Sequence, residues 1–251
     1  MLNKLRDALR ASALLNFNQV QRDAWVRTQA ALVPENSEVL DVGAGSAPYR
    51  RFFQHCRYFT QDFVQLNPAQ LLHGAYTQVD YVSDATAISV DGASFDAVLC
   101  TEVLEHVPEP IRLIQEISRI LRPGGKLILT APLGSGIHQE PYHFYGGYTP
   151  YWYERFLAEA GFTDIRIEPN CGSFRAFSQE SLRFVVSSRP TAVPMSLLAR
   201  AVWTPVWLLL FPVLAGIVPV SCLILDRFDR ERRFTVGYHV TATRSAEGAS
   251  A

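Results

Sequence analysis

The stretch Val39-Leu40-Asp41-Val42-Gly43-Ala44-Gly45-Ser46-Ala47-Pro48-Tyr49 constrains the fold more than any other part of the chain. A short apolar run ends in two glycines separated by one residue. Pro48 follows, a residue suited to the first position of a helix. Short apolar runs bounded by glycine read as buried strands, and glycine lets a ligand come close to the backbone. The stretch therefore predicts a strand, a ligand-facing loop and a helix whose N-terminus offers unpaired N–H groups. The alternation continues downstream. Residues 57–64 and 77–82 read as strands, 95–100 as a further apolar run and 126–130 as a fifth strand. Between them, residues 110–121 place Ile111, Leu113, Ile114, Ile117, Ile120 and Leu121 at helical spacing, and Pro123-Gly124-Gly125 stops the helix. Residues 150–160 form a helix closed by Gly161, residues 163–168 alternate as a sixth strand, and 235–243 are a β-rich seventh. Strands alternating with helices predict an α/β fold with a largely parallel sheet covered on both faces.

The chemistry of the first loop depends on its acidic neighbours. Asp62 stands seventeen residues past Gly45, at the end of the next predicted strand, where an ionised carboxylate accepts two ribose hydroxyls and repels a 2′-phosphate. The third glycine of the dinucleotide fingerprint is missing, since Ala47 or Pro48 stands there, and Asp41 lies two residues before the first glycine. This pattern points away from NAD and toward S-adenosylmethionine (SAM).

At these positions the chain resembles the class I SAM-dependent methyltransferases, most of all the branch of ubiquinone-type methyltransferases and their bacterial relatives. The resemblance runs from about residue 39 to 172 and includes the final strand. Asp41-Val42-Gly43-Ala44-Gly45 is similar to the first motif, and Asp62 to the ribose-binding acid. Asp84-Ala85 stands where the family contacts the adenine amino group. Residues 95–100 resemble the fourth strand, Thr101-Glu102-Val103-Leu104-Glu105-His106-Val107 the segment beside the methionine moiety, and Leu121-Arg122-Pro123-Gly124-Gly125 the turn before strand five. The resemblance implies a Rossmann-like three-layer sandwich. Its seven-stranded sheet has order 3-2-1-4-5-7-6, strand 7 is antiparallel, and an apolar helical insert separates strands 6 and 7. It also implies SAM as cofactor, held by Asp41, Gly43, Gly45, Asp62, Asp84, Ala85, Thr101 and Glu102.

Methyl transfer from a sulfonium needs positioning, exclusion of water and sometimes removal of a proton. It needs no metal, and no metal-ligand spacing is visible. The segment after strand five is rich in glycine and aromatic residues, as a lid would be: Gly134-Ser135-Gly136-Ile137-His138-Gln139-Glu140-Pro141-Tyr142-His143-Phe144-Tyr145-Gly146-Gly147-Tyr148-Thr149. His138 and His143 are the candidate general bases, because imidazole titrates near neutral pH. The alternative is that each only ties the loop to the sheet. His106 reads as a structural residue that orients its turn.

Residues 201–225 hold no charge over 25 positions. That length meets the transmembrane threshold, but strand 7 must return to the sheet that strand 6 left, so a single crossing is excluded. Pro205, Pro212 and Pro219 interrupt the run every seven residues, which predicts two short helices or a re-entrant hairpin. Arg200 precedes the run, and Arg227, Arg230, Arg232 and Arg233 follow it. The expectation is a monotopic anchor on the inner face of the membrane; the alternative is a buried pair or a homodimer interface. Leu2, Leu5, Leu9, Leu14 and Leu15 recur as on an amphipathic helix. Lys4, Arg6, Asp7 and Arg10 interrupt any signal-peptide core. The organisation expected is an N-terminal helical segment (1–34), a SAM-binding core (35–172), the insert (173–233), the last core strand (234–244) and a tail (245–251).

A net charge of −1 leaves no basic excess for nucleic acid. Four widely spaced cysteines with no CxxC read as free thiols in a reducing compartment, which fits a cytoplasmic protein. The function expected is methyl transfer, at oxygen, to a small or lipid-linked acceptor. Oxygen is favoured because the chain lacks the Asn/Asp-Pro-Pro-Tyr/Phe motif of many nitrogen methylations. Two other readings are a catalytically silent SAM-binding scaffold and an NAD-linked oxidoreductase.

Overall fold

The computed structural model describes residues 17–246. The helix expected over residues 1–15 and the tail from 247 onward lie outside the described residues. The chain forms two compact units. One holds Gln21–Glu168 and the strand that begins at Gly237; the other holds Pro169–Val236 and, of the described residues before Gln21, those from 17 to 20.

The first unit is built on β1 (Glu38–Val42), β2 (Arg57–Asp62), β3 (Tyr81–Val82), β4 (Phe95–Thr101), β5 (Leu121–Pro132), β6 (Phe162–Pro169) and β7 (Gly237–Arg244). The sheet order is β3-β2-β1-β4-β5-β7-β6, as the resemblance implies. Strands β1 to β5 pair in parallel, and β7 runs antiparallel to β5 with Leu129 opposite Val240. Side-chain alternation divides the core into two layers. Leu40, Val42, Val98, Cys100, Leu127 and Leu129 face one way, while Val39, Ala97, Leu99 and Ile128 face the other. Burial on both faces is why these strands read as unbroken apolar runs.

Helix α1 (Phe17–Ala30) covers the second layer with Val26 and Ala30. The first layer is covered by α2 (Pro110–Ile120) and α3 (Pro150–Glu159). In α2 the residues Leu113, Ile114, Ile117 and Ile120 recur within one arc and are fully buried.

Two local expectations are corrected. No α-helix follows the glycine loop. Residues 50–52 make a single 3-10 turn, because Ala47 takes a left-handed φ of +47° and the short link to β2 leaves no room for several turns. The helix N-terminus expected to face the cofactor is therefore absent. Strand β5 also begins directly at Leu121, so Pro123-Gly124-Gly125 lies within it instead of before it. Gly125 is needed there, since a Cβ would sit 2.8 Å from the Arg122 carbonyl oxygen.

The second unit is a helical hairpin. Helix α4 (Ser173–Ser187) is followed by α5 (Leu197–Pro212), a π turn (Val213–Ile217) and α6 (Val218–Leu225). The last three form one helix without reversal, Leu197–Phe228, in place of the two short helices expected from the prolines. Each proline removes only one backbone donor, and the wider π turn gives space where Pro219 would crowd the preceding carbonyls. The Ser181 hydroxyl of α4 donates to the Leu214 carbonyl in that turn. The hairpin closes at its base through two carboxylates. Asp226 accepts from the Gly172 and Arg175 N–H groups and Asp229 from Ser173 N–H, so three N–H groups at the start of α4 are satisfied. A Cβ at Gly172 would lie 2.5 Å from Asp226 Oδ1.

Ile117→Ala should lower the unfolding free energy by about 2–5 kcal/mol in urea denaturation, because it leaves a cavity in a filled layer. Ile111→Ala, on the exposed side of the same helix, should cost less than about 1 kcal/mol.

Candidate active site

The sheet register determines what meets at its edge. Val42 pairs with Gln61 on one side and Cys100 on the other, and Asp62 pairs with Val82. The residues that follow β1, β2, β3 and β4 therefore emerge side by side at the carboxyl ends of the strands. Gly43 and Gly45, Asp62, Asp84 with Ala85, and Thr101 with Glu102 all lie along this edge.

The glycine loop is stitched to the end of β2. Gly45 N–H donates to Asp62 Oδ2 at 2.9 Å, Val64 N–H donates to Oδ1 at 2.9 Å, and Ala44 N–H donates to the Gln61 carbonyl. Asp62 is buried with the Tyr76 hydroxyl also beside it, and its carboxylate keeps lone-pair capacity beyond these partners for a ligand hydroxyl. Gly43 takes φ +68°, and a Cβ there would lie 2.4 Å from Val103 Cγ2, so no other residue fits without displacing the segment after β4. Asp41 is buried and accepts the Tyr58 hydroxyl. Burial pushes its pKa up to about 7, against the Tyr58 hydrogen bond, with the Asp62 charge adding to the rise. Asp84 is exposed and caps its own turn, its Oδ1 accepting from Thr86 N–H and the Thr86 hydroxyl, both at 2.8 Å.

Glu102 takes φ +53° and is held from two sides. Its Oε1 accepts the Thr130 hydroxyl at 2.9 Å, and its Oε2 pairs with Arg22 Nη1 at 3.0 Å. Arg22 also donates to the Tyr49 hydroxyl at 3.0 Å, so one guanidinium from α1 joins the loop after β1 to the loop after β4. Sequence reasoning missed Arg22 and Tyr58. An arginine on a helix remote in sequence and a tyrosine in mid-strand give no local signal.

The segment after β5 folds over this edge. The Phe144 and Tyr145 N–H groups both donate to the Glu105 carbonyl, and the Tyr148 hydroxyl donates to that of Leu104 at 2.8 Å. Gln139 and Gln70 exchange side-chain to backbone bonds across the mouth, with Gln139 Nε2 donating to the Gln70 carbonyl and Gln70 Nε2 to the Glu140 carbonyl, each at 3.0 Å. Tyr142 donates to Gln65 Oε1 at 2.8 Å and packs edge-on to Phe63. Gly147 lets the segment turn back, since a Cβ would lie 2.2 Å from the Leu133 carbonyl oxygen.

Three imidazoles meet where this segment crosses the loop after β4: His106 and His143 are half-buried and His138 is exposed. Ring centroids are 4.7 Å apart for His138 and His143, 4.8 Å for His106 and His138, and 5.8 Å for His106 and His143. His106 Nδ1 is hydrogen-bonded to the Tyr142 carbonyl and His138 Nδ1 to that of Gly136, which leaves Nε2 of each as the acceptor in the neutral ring. His143 Nε2 lies 3.1 Å from the Ser135 hydroxyl. Burial lowers His106 to about 4, and burial together with the neighbouring His138 lowers His143. Glu105 is fully buried beside them. Burial, with the Glu102 charge, raises its carboxyl to about 8, and its Oε2 has no hydrogen-bond partner among the described residues. One donor atom each from Glu105, His106 and His138 lie within 4.8 Å of one another, a set a divalent cation could share that linear spacing did not reveal. A separate cleft lined by Glu38, Phe59, Tyr81, Phe95 and Arg122 opens at the opposite, amino ends of the strands and contains none of these residues.

Residues 40–129 match the family described as a methyltransferase domain. The ubiquinone biosynthesis O-methyltransferase of Xanthomonas oryzae pv. oryzae (strain PXO99A) is 49% identical over 65 residues, covering 24% of this chain and 26% of that protein. The protein of the same name from Xanthomonas axonopodis pv. citri (strain 306) is 37% identical over 108 residues, covering 40% of this chain and 45% of that protein. Each match thus spans less than half of the relative's length. Among solved structures, Haemonchus contortus phosphoethanolamine N-methyltransferase 2 in complex with S-adenosyl-L-methionine aligns with a TM-score of 0.53 at 19% identity, over 90% of this chain and 52% of that one. A left-handed glycine pressed against Val103 and a buried acid bonded to the same loop form a cradle that suits an adenosyl cofactor. Sheet order, cradle and sequence match agree: this chain carries a class I SAM-dependent methyltransferase domain with bacterial relatives, and S-adenosylmethionine is its cofactor.

Proposed function

We propose that the protein transfers a methyl group to a hydroxyl oxygen of a small or lipid-linked acceptor. The observation that carries this reading is the cluster that His138 and His143 of the closing segment make with His106, beside the edge that holds Gly43, Gly45 and Asp62. The bound cofactor would supply an activated methyl on a sulfonium, so the chain's own residues need only bind, orient and take up a proton. Asp62 would accept the ribose hydroxyls while Gly45 N–H holds its carboxylate in place. Asp41, Gly43, Asp84, Ala85, Thr101 and Glu102 would complete the cofactor edge, with Arg22 positioning Glu102. The closing segment would exclude water, and a neutral imidazole of His138 or His143 would accept the hydroxyl proton. Oxygen as the acceptor atom is supported by the names of the curated relatives, and a lipid-linked acceptor by the apolar helix of the second unit. A cytoplasmic location is supported by the four free cysteines, which a reducing compartment would keep as thiols.

Three outcomes are expected. Asp62→Ala should weaken calorimetric binding of S-adenosylhomocysteine by about 1–3 kcal/mol, the cost of losing a buried charged acceptor. Unchanged binding would remove Asp62 from the cofactor site, and no binding by folded wild type would favour a scaffold protein.

Asp41→Asn should be more stable than wild type at neutral and alkaline pH. Because the folded pKa of Asp41 is raised to about 7, folded protein holds a proton that unfolded protein has released, and wild type loses stability as pH rises from about 4 to 7. The gain in the variant should grow over that window to roughly 2–4 kcal/mol and stay constant above it. Urea midpoints measured across pH would test it; a gain independent of pH would overturn the burial account.

The acid limb of kcat/KM should lie below the ordinary histidine range of about 6.5, because burial and His138 disfavour protonation of His143. His143→Gln should abolish or displace that limb if His143 takes the proton, and leave it in place if the residue only ties the loop.

A further inference from the structure

We infer that the hairpin of the second unit is a docking surface for an anionic lipid bilayer, which it meets by lying in the plane of the interface. The helix Leu197–Phe228 runs 32 residues, and only 11% of its most apolar window is buried. The exposed apolar surface is too broad for a single partner helix. Leu197 and Leu198 are 84% and 78% exposed, and Leu208 and Leu209 are 59% and 75% exposed. Successive helical residues project about 100° apart, so these pairs widen the apolar arc well beyond the narrow seam that a coiled-coil partner covers. A fluid apolar phase covers such an arc; one rigid helix leaves much of it in water.

Charge sets both the kind of lipid and the depth. At the carboxyl end, Asp226 and Asp229 accept N–H groups at the start of α4. Asp229 also accepts the Arg232 N–H at 3.1 Å and faces its charge, and Glu231 pairs with Arg233 at 2.9 Å, which leaves Arg227 and Arg230 as the cations least offset. Arg227, Arg230 and Arg232 stand exposed around Phe228 and Phe234, which are 73% and 55% exposed. Cations interleaved with bare aromatic rings suit an anionic headgroup layer over acyl chains. Spanning is excluded by α4, which runs alongside and carries Arg175, Arg183 and Glu180, the last two forming an exposed pair at 3.1 Å. The Trp203 and Trp207 indoles donate to the Ser188 and Val185 carbonyls and pin the α4 side of the helix to its neighbour, so the opposite side is the one presented.

The test is co-sedimentation of the full chain, purified without detergent, with two kinds of vesicle: phosphatidylcholine alone, and phosphatidylcholine with about one-third phosphatidylglycerol. Wild type should bind the anionic vesicles at least about tenfold more tightly than the neutral ones, and binding should weaken as salt rises. The double variant Leu198→Asp, Leu209→Asp should lose both. The triple variant Arg227→Glu, Arg230→Glu, Arg232→Glu should lose the anionic preference, and it carries the test alone if the leucine variant fails to fold. Monodisperse wild type that binds neither vesicle would overturn the inference. So would a dimer that binds no vesicle and falls apart in the leucine variant, which would assign the face to a second copy. Equal binding to both vesicles would overturn the anionic assignment. S-adenosylhomocysteine binding, measured on the same samples, reports on the methyltransferase reading separately.

Discussion

Parallel pairing of β1 with both β2 and β4 is the constraint on which the site depends. It brings the carboxyl ends of three strands level, so loops far apart in sequence start from neighbouring points. A shift of one residue would turn Asp41 into the opposite core layer and separate Gly45 from Asp62. The apolar strands fix this register because they are buried on both faces. The functional edge is a by-product of core packing.

The site collects buried polar groups that the core alone would not tolerate. Asp41, Glu105 and Arg22 sit in or beside apolar layers, and each changes the electrostatics of its neighbours. Arg22 is compensated by Glu102 and Tyr49. Asp41 has Tyr58, while one oxygen of Glu105 has no partner among the described residues. A carboxyl held near neutrality beside three imidazoles is a group whose cost is justified by chemistry more readily than by stability. The Nδ1 atoms of His106 and His138 are bonded to backbone carbonyls, which leaves their Nε2 atoms outside those bonds.

Much of this was legible in the sequence. Apolar runs and glycine punctuation marked the strands, and the motif order implied the sheet order. Where the reading failed, tertiary geometry overrode a local cue. Pro48 suggested a helix, but the left-handed Ala47 and the short return to β2 allow only one turn. Pro205, Pro212 and Pro219 suggested a reversal, but a π turn and the Ser181 hydroxyl keep the helix continuous. His138 and His143 each read as a candidate base or as a tie between loop and sheet, with no sign that they would meet His106. The fold of the closing segment places both against His106, more than thirty positions earlier.

The sequence by itself determined the alternation of strands and helices, the glycine loop with its acidic partner, and the presence of a long uncharged run. These follow from local properties: side-chain volume, backbone freedom and charge at each position. The tertiary structure decided which polar groups meet. Arg22 with Glu102, Tyr58 with Asp41, Asp226 with the start of α4, and the three imidazoles are pairings across distances the chain closes only by folding. Their energies depend on burial and orientation. Neither is a property of a single residue, because each is set by how the layers pack.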